Sequence, residues 1–229
     1  MDPRNTVVRL CTEGMAAEAA GRGEAAHALF RRAWAAASDD YEACVAAHYL
    51  ARHQPTPEDT LRWNRTCLEL ADRVGDERVR PFYPSLHGAL GRALLERGER
   101  GEARAHFEAG AARLADLPPG PYADWLRLRV ADGLRATDPR PAAAPDPLRP
   151  LLDRLCARAD LASLALLLPP YLANLHGPED EERLTTALCM LHAERRLPEP
   201  DLTALADVIA SRRPSATAAQ GSEGTAYVT

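Results

Sequence analysis

Five cysteines and seven histidines are the side chains of this sequence that suit metal binding or nucleophilic catalysis. The cysteines are Cys11, Cys44, Cys67, Cys156 and Cys189, and none of them forms a C-x-x-C pair. Cys189 and His192 are three residues apart on a predicted helix and share one face, as two metal ligands would. Two ligands do not complete a site, and no second cysteine or histidine pair lies nearby. We therefore expect no metal and no cofactor, and we interpret the cysteines as reduced thiols in structural positions.

The histidines do not form a recognisable catalytic or metal-binding motif. His48 and His53 share one predicted helix, but five residues turn a helix by roughly 500°, which separates the two rings around the axis. No H-E-x-x-H sequence occurs. We interpret the histidines as individual helix residues.

The sequence contains 28 arginines and no lysine, which excludes several enzyme classes. A phosphate-binding loop with its lysine, a protein kinase and a lysine Schiff base are all impossible. No G-x-S-x-G sequence is present, and the dinucleotide-binding pattern that begins at Gly21 lacks its third glycine. Acidic residues 179–182 follow Gly177 and Pro178, where they suit the first turn of a helix. We predict no catalytic residues and expect a protein without enzymatic activity.

Composition predicts a globular, all-α protein that contacts neither nucleic acid nor membrane. The 229 residues are 46% hydrophobic and only 5% aromatic, and alanine is abundant, which favours helices packed through small side chains. The net charge of −5 disfavours binding to phosphate backbones. The longest apolar run, Leu161 to Leu168, is shorter than the roughly 18 to 20 residues of a membrane helix. The first residues do not resemble a signal peptide, so we expect a cytoplasmic protein.

Two segments in the first half of the chain share one pattern of small and aromatic residues. A turn glycine is followed after five residues by alanine, after nine by phenylalanine and after twelve by another small residue; a further glycine precedes it by seven. The paired positions are Gly14 and Gly91, Gly21 and Gly98, Ala26 and Ala103, Phe30 and Phe107, and Ala33 and Gly110. This spacing predicts antiparallel helix pairs that approach closely at the small residues, with the phenylalanine filling the gap.

A weaker copy lies 34 residues after the first and sets His48 against Gly14, Asn64 against Phe30 and Cys67 against Ala33. The pattern resembles the tetratricopeptide repeat, a helix-turn-helix unit of 34 residues, over about residues 5–116. The resemblance implies an α-solenoid whose concave face is formed by the first helix of each pair. The third copy follows after 43 residues, so we expect longer or interrupted helices near Pro81 and Pro84.

Capping residues and proline content divide the rest of the chain. Thr56 and Pro57 predict a helix that runs to about Val74 before Gly75, and a capping helix is expected over Tyr122–Leu134. We predict a repeat domain over 1–136, a proline-rich linker over 137–147, four helices over 148–213 that either continue the solenoid or form a bundle, and a disordered tail over 214–229. Leu161 to Leu168 is expected to be the buried central helix, ended or kinked by Pro169 and Pro170.

A concave helical surface suits recognition of a peptide or helix. Projection of the repeat register predicts five partner-binding residues, Tyr49, Arg52, His53, Arg92 and Glu96, and also turns Met15, Glu18, Glu42 and Ser85 to that face. The lysine and asparagine clamp of some tetratricopeptide proteins is not present. The leading hypothesis is an adaptor or regulatory protein that binds a protein or peptide. The alternatives are a small-molecule sensor or unusual enzyme with a pocket between helical layers, and a homo-oligomer that associates through Leu161 to Leu168.

Overall fold

The computed structural model describes residues 4–139 and 146–212, and these residues form helices and turns without a strand. The prediction of an all-α fold is confirmed. The helices are α1 Thr6–Ala19, α2 Gly23–Ala36, α3 Asp40–Leu50, α4 Pro57–Val74, α5 Tyr83–Glu96, α6 Arg100–Ala112, α7 Pro121–Ala136, α8 Arg149–Ala157, α9 Leu161–Leu172, α10 Pro178–Glu194 and α11 Glu199–Arg212. Short 3-10 turns cover Ala51–His53, Arg80–Phe82 and Leu114–Asp116. Among the described residues, no helix has the length and apolar character needed to cross a membrane.

The chain divides into two compact units, with the boundary between Pro139 and Arg140. The first unit contains α1 to α7 and the second contains α8 to α11. Part of the predicted proline-rich linker, residues 140–145, and the predicted disordered tail lie outside the described residues.

The first unit consists of three consecutive helix pairs and a seventh helix. The most extensive contacts join α1 to α2, α3 to α4 and α5 to α6, and smaller contacts join α2 to α3, α4 to α5 and α6 to α7. The first helices also contact one another, since α1 packs on α3. The turns of the first and third pairs contain Gly21 and Gly98, both with positive φ angles that glycine adopts without steric cost.

Small residues let the paired helices approach closely, as the repeat spacing predicts. A Cβ atom built on Gly14 would lie 2.3 Å from the Phe30 ring, and one built on Gly91 would lie 2.9 Å from the Phe107 ring. Both phenylalanines are buried. The mechanical interpretation of the spacing is therefore confirmed in the first and third pairs.

Helix boundaries around the second pair are also where the sequence places them. The Thr56 side chain accepts a hydrogen bond from the backbone N–H of Asp59, Pro57 opens α4, and Gly75 ends it in the left-handed conformation. The expected interruption near Pro81 is a 3-10 turn, and α5 then begins at Tyr83 with Pro84 in its first turn. The extra residues of this unit thus form turns between α4 and α5.

The second unit packs four helices around a leucine-rich core. α9 contacts α8 and α10, while α11 contacts α10 and α8. Fifteen buried residues form its core, among them Leu151, Leu155, Leu167, Leu188 and Leu205. The four helices are short and amphipathic, and each buries one stripe of apolar side chains against the others.

The prediction that Leu161 to Leu168 forms a buried central helix holds for one face only. Leu161 is 74% exposed and Ala165 is also exposed, whereas Ser163, Leu164 and Leu167 face the core. Nearly every residue of this run is apolar, so periodicity does not distinguish its faces. Ser163 is buried because its hydroxyl donates to the carboxylate of the capping residue Asp160 and accepts from Arg196.

Of the two outcomes expected at Pro169 and Pro170, an end or a kink, the end does not occur, because the helix continues to Leu172. Proline cannot donate to the carbonyl four residues earlier, which for Pro169 is the carbonyl of Ala165. Ala165 is exposed, so water can satisfy its carbonyl. The backbone oxygen of Pro169 in turn accepts a hydrogen bond from Ala173.

Candidate binding cavity

A cavity of about 370 Å³ lies on the face formed by the first helices of the three pairs. α1, α3 and the start of α5 form its walls, and the segment that leads into α7 completes it. The lining residues are Val8, Cys11, Thr12, Met15, Val45, His48, Tyr49, Arg52, Pro81, Phe82, Ser85, Leu117, Pro118 and Tyr122. At about 30 Å³ for each non-hydrogen atom, this volume has room for about a dozen such atoms.

The cavity wall is mainly apolar and aromatic. Among the described residues that line it, Arg52 is the only one with a charged side chain at neutral pH, and no carboxylate lines it. The hydroxyls of Thr12 and Ser85 donate to backbone carbonyls of Val8 and Phe82. This wall suits an apolar group that carries no positive charge.

His48 is a half-buried titratable group of this wall, and its Nδ1 atom is fully buried. Its ring stacks on Phe82 with centroids 5.7 Å apart and meets the Tyr49 ring edge-on at 5.5 Å. Burial, assisted by the positive charge of Arg52, lowers the pKa of His48 from 6.5 to about 4. The imidazole is therefore neutral at physiological pH.

The position of the His48 proton follows from its surroundings. Nδ1 is buried and has no hydrogen-bond partner among the described residues. A buried N–H without an acceptor costs more than a lone pair without a donor, and the neutral ring holds a single proton. We therefore assign the proton to Nε2, which makes His48 a hydrogen-bond donor at that atom.

A chain of stacked rings and charges forms one edge of the cavity. The guanidinium of Arg52 lies over the Tyr49 ring at 4.9 Å, and Tyr49 stacks on Phe30 at 5.1 Å. Arg52 Nη2 donates to Glu18 Oε2 at 2.7 Å. His53 Nε2 lies 3.2 Å from the other carboxylate oxygen of Glu18. Glu18 itself does not line the cavity, so it holds Arg52 from outside.

The structure brings some of the predicted partner-binding residues together and leaves others apart. Tyr49 and Arg52 line the cavity, and His53 lies beside them through Glu18. Met15 and Ser85 also line it, as their register predicts.

Three other positions that the register projects onto this face lie outside the cavity. Arg92 and Glu96 are exposed on α5 but do not line the cavity. α5 contributes only through its first turn, and Arg92 lies seven residues, about two turns, beyond Ser85. Glu42 does not line it either, because its carboxylate accepts hydrogen bonds from Ser38 and Asn5 at the start of α3.

Sequence reasoning missed the aromatic residues at the far side of the cavity. Phe82 lies in the 3-10 turn before α5, and Tyr122 lies in the first turn of α7, outside the repeat register. His48 was assigned to an ordinary helix position, although the 34-residue offset sets it against Gly14, a helix-contact position. That offset was the available signal for its burial.

Two large aromatic side chains are exposed next to the cavity. Tyr122 and Trp125 are 52% and 53% exposed, and their rings stack with centroids 6.0 Å apart. Tyr122 lines the cavity and Trp125 does not. The apolar surface therefore continues from the cavity onto the outside of α7.

Other pairs of reactive side chains have structural explanations. His87 Nδ1 and His106 Nδ1 are 3.0 Å apart between α5 and α6, and burial lowers the pKa of both rings. Cys44 Sγ and Cys67 Sγ are 3.6 Å apart, buried where α3 packs on α4. In the described part of the chain, no three His, Cys, Asp or Glu side chains are grouped closely enough to hold a metal ion.

Comparison with protein-family models, curated proteins and solved structures gave no match to this chain. Function is therefore inferred from the chemistry of the cavity and its edge.

Proposed function

We propose that this chain is a non-enzymatic adaptor or regulatory protein that binds a protein or peptide at the cavity on α1, α3 and α5. The exposed Tyr122–Trp125 stack beside the cavity carries this proposal. A small molecule that filled the cavity would leave Trp125 in solvent, whereas a peptide would cover both. Tyrosine and tryptophan are the side chains that most often dominate binding energy at protein interfaces.

The proposal includes a tetratricopeptide-like arrangement of the first three helix pairs. Its support is the spacing of Gly14 and Phe30, repeated in Gly91 and Phe107, together with a cavity lined by first helices. Repeat proteins of this kind bind partners on the face that their first helices form. A cytoplasmic location and self-association through exposed Leu161 stay predictions.

The proposed function is tested by selecting peptides from a random phage-displayed library on the immobilised full-length protein. Selected peptides are synthesised, and their affinities are measured by calorimetry for wild type and for Tyr122→Ala/Trp125→Ala. Loss of a hot-spot pair lowers affinity by about tenfold or more. Leu161→Ala, an exposed leucine of the second unit, is the matched control and keeps wild-type affinity.

Circular dichroism first establishes that the double variant keeps its helices. Equal affinity for wild type and the double variant would place the peptides elsewhere and remove the support that Trp125 gives. Failure to select any peptide that binds in solution would contradict the proposal itself.

A second candidate function is a small-molecule sensor, which the size of the cavity and the half-buried His48 favour. A volume of about 370 Å³ falls within the range of small-molecule sites, and one polar ring in an apolar wall is typical of them. This candidate is tested by screening a compound library by thermal shift on wild type and, in parallel, on Ser85→Trp, a variant whose added indole fills the cavity. Compounds that raise the Tm of wild type alone would favour the sensor over the adaptor.

A further inference from the structure

Arg52 is the only charged side chain among the described residues of the cavity wall, and it forms an ion pair with Glu18. Glu18 reaches Arg52 through one contact, from Nη2 to Oε2 at 2.7 Å. A guanidinium has five N–H donors in a fork that matches a carboxylate, so one contact leaves donors for another acceptor. The Arg52 side chain is 44% exposed, so a partner can reach it.

The nitrogen groups of this cavity are donors, while the hydroxyls of Thr12 and Ser85 already donate their protons in hydrogen bonds to backbone carbonyls. Arg52 is a permanent cation, and the neutral His48 ring carries its proton on Nε2. Within residues 4–139 and 146–212, no acidic side chain lines the cavity to attract a positively charged group. Charge complementarity therefore favours an occupant with a carboxylate over one with an ammonium group.

We propose that the partner is an acidic peptide segment that inserts one apolar side chain into the cavity and places a neighbouring carboxylate on Arg52, where it displaces Glu18. Glu18 is then an internal competitor that holds the guanidinium in position and lowers the affinity for every acidic partner. This inference rests on the proposed function. A peptide is favoured over a free acid because the apolar surface extends beyond the cavity to Trp125.

Displacement of Glu18 leaves its carboxylate with a second partner. His53 Nε2 lies 3.2 Å from Glu18 Oε1, the carboxylate oxygen that Arg52 Nη2 does not contact. The exchange breaks one charged contact of Arg52 and forms another. Glu18 therefore reduces the gain from the partner's carboxylate but does not cancel it, because Arg52 has N–H donors that Glu18 does not use, and burial of the apolar side chain adds to that gain. Removing the Glu18 charge eliminates the competing contact and is expected to tighten binding of acidic partners alone.

The test uses matched blocked dipeptides and full-length protein. Acetyl-Leu-Glu-amide is compared with acetyl-Leu-Gln-amide, and octanoate with octanamide, by NMR titration in the millimolar range. We expect Glu18→Gln to prefer the acidic dipeptide by about tenfold, the effect of one charge-assisted hydrogen bond, and wild type to prefer it by less, because Glu18 competes for Arg52. Arg52→Gln removes this preference, and Glu18→Gln tightens the acidic dipeptide several-fold without changing the affinity for the neutral one.

The Asp40–Arg73 ion pair supplies the control. It also joins two elements of the first unit at the surface, with Arg73 Nε 2.8 Å from Asp40 Oδ2, and neither residue lines the cavity. Asp40→Asn and Arg73→Gln are expected to bind all four probes as wild type does. A change in these variants equal to that in Glu18→Gln would mean that a general effect of charge, and not the contact on Arg52, sets the affinity.

The outcomes separate this inference from the proposed function. If the acidic and neutral dipeptides bind with equal affinity and Ser85→Trp abolishes the binding of both, the proposed contact between a carboxylate and Arg52 is wrong, and the cavity is still the binding site. If octanoate binds more tightly than octanamide but the two dipeptides bind equally, the occupant is a small free acid and not a peptide. Binding that Ser85→Trp leaves unchanged, or no binding of any probe, would overturn both proposals.

Discussion

Gly14 lies so close to Phe30 that a Cβ atom on the glycine would come within 2.3 Å of the aromatic ring. Real Cβ atoms do not approach carbon this closely, so the contact requires glycine. Phe30 is fully buried and also stacks on Tyr49 of the cavity edge. The glycine of α1 thus determines where the ring beneath the candidate site can lie.

Gly14→Ala is expected to lower the free energy of unfolding. The added methyl group forces the Phe30 ring to move, and overpacking of this kind costs about 1 to 3 kcal/mol. Alanine in a helix recovers at most about 1 kcal/mol relative to glycine. Urea denaturation followed by circular dichroism measures the difference.

Gly101→Ala is the matched control, because a Cβ atom at this helical glycine meets nothing within 4 Å. We expect this variant to be as stable as wild type or more stable. If Gly14→Ala were equally stable, the ring would have room to move and the close approach would not constrain the fold.

This contact also shows which parts of the fold are predictable from sequence. Glycine at position 14 and phenylalanine at position 30 recur at 91 and 107, and only a shared packing need explains the repeated spacing. Local chemistry likewise predicts the start of α4 at Thr56 and its end at Gly75. α9 was not predictable in the same way, because seven of its first eight residues are apolar and the buried face depends on its neighbours.

The candidate site was only partly predictable for a similar reason. Tyr49 and Arg52 follow from the repeat register, which assigns residues to a face. Phe82 and Tyr122 belong to a 3-10 turn and a capping helix, whose positions come from tertiary packing and not from periodicity. Arg92 was projected correctly onto an exposed surface, but the cavity ends at the first turn of α5.

Burial of His48 predicts a stability change with pH. Its pKa is about 4 in the folded chain, against 6.5 for an ordinary histidine in the unfolded chain, so below pH 6.5 the unfolded chain binds the proton first. The stabilisation is complete above pH 6.5 and is lost as the pH falls toward about 4. At about 1.4 kcal/mol for each pH unit, the loss is roughly 3 kcal/mol.

His48→Gln is expected to remove this part of the pH dependence, because glutamine does not titrate. Urea denaturation at several pH values between 7 and 4 measures it for wild type and variant. His176→Gln is the control, since the His176 side chain is 73% exposed. An unchanged pH dependence in His48→Gln would show that His48 is hydrated in solution.

The five thiols are expected to separate into two classes of reactivity. Cys156 and Cys189 are exposed, whereas Cys11, Cys44 and Cys67 are buried. Burial also raises the pKa of Cys11 to about 11, so its side chain stays protonated at neutral pH and does not form the reactive thiolate. With Ellman's reagent, we expect two thiols to react rapidly in the native protein and five after denaturation. A third rapid thiol, located by mass spectrometry, would contradict this division: Cys11 would react through the cavity that it lines, whereas Cys44 or Cys67 would require α3 and α4 to separate.

Asp201 is the buried carboxylate that joins α8 to α11 in the second unit. Its two oxygens lie 2.6 Å from Arg154 Nε and 2.7 Å from Arg158 Nη2. Burial raises the pKa of Asp201, but the hydrogen bonds and charges of the two arginines lower it further, so the net shift is downward. The stabilisation is therefore present above about pH 4 and is lost at lower pH.

Asp201→Asn is expected to cost about 2 kcal/mol at neutral pH, since it weakens one charge-assisted hydrogen bond and one ion pair of a buried group. Asp153→Asn provides the comparison, because Asp153 pairs with Arg149 on the surface of α8 and such pairs contribute less than about 1 kcal/mol. Urea denaturation at pH 7 separates the two. Equal losses would mean that the arginines stabilise Asp201 no more than a surface pair does, and apolar packing alone would then hold α11 on α8.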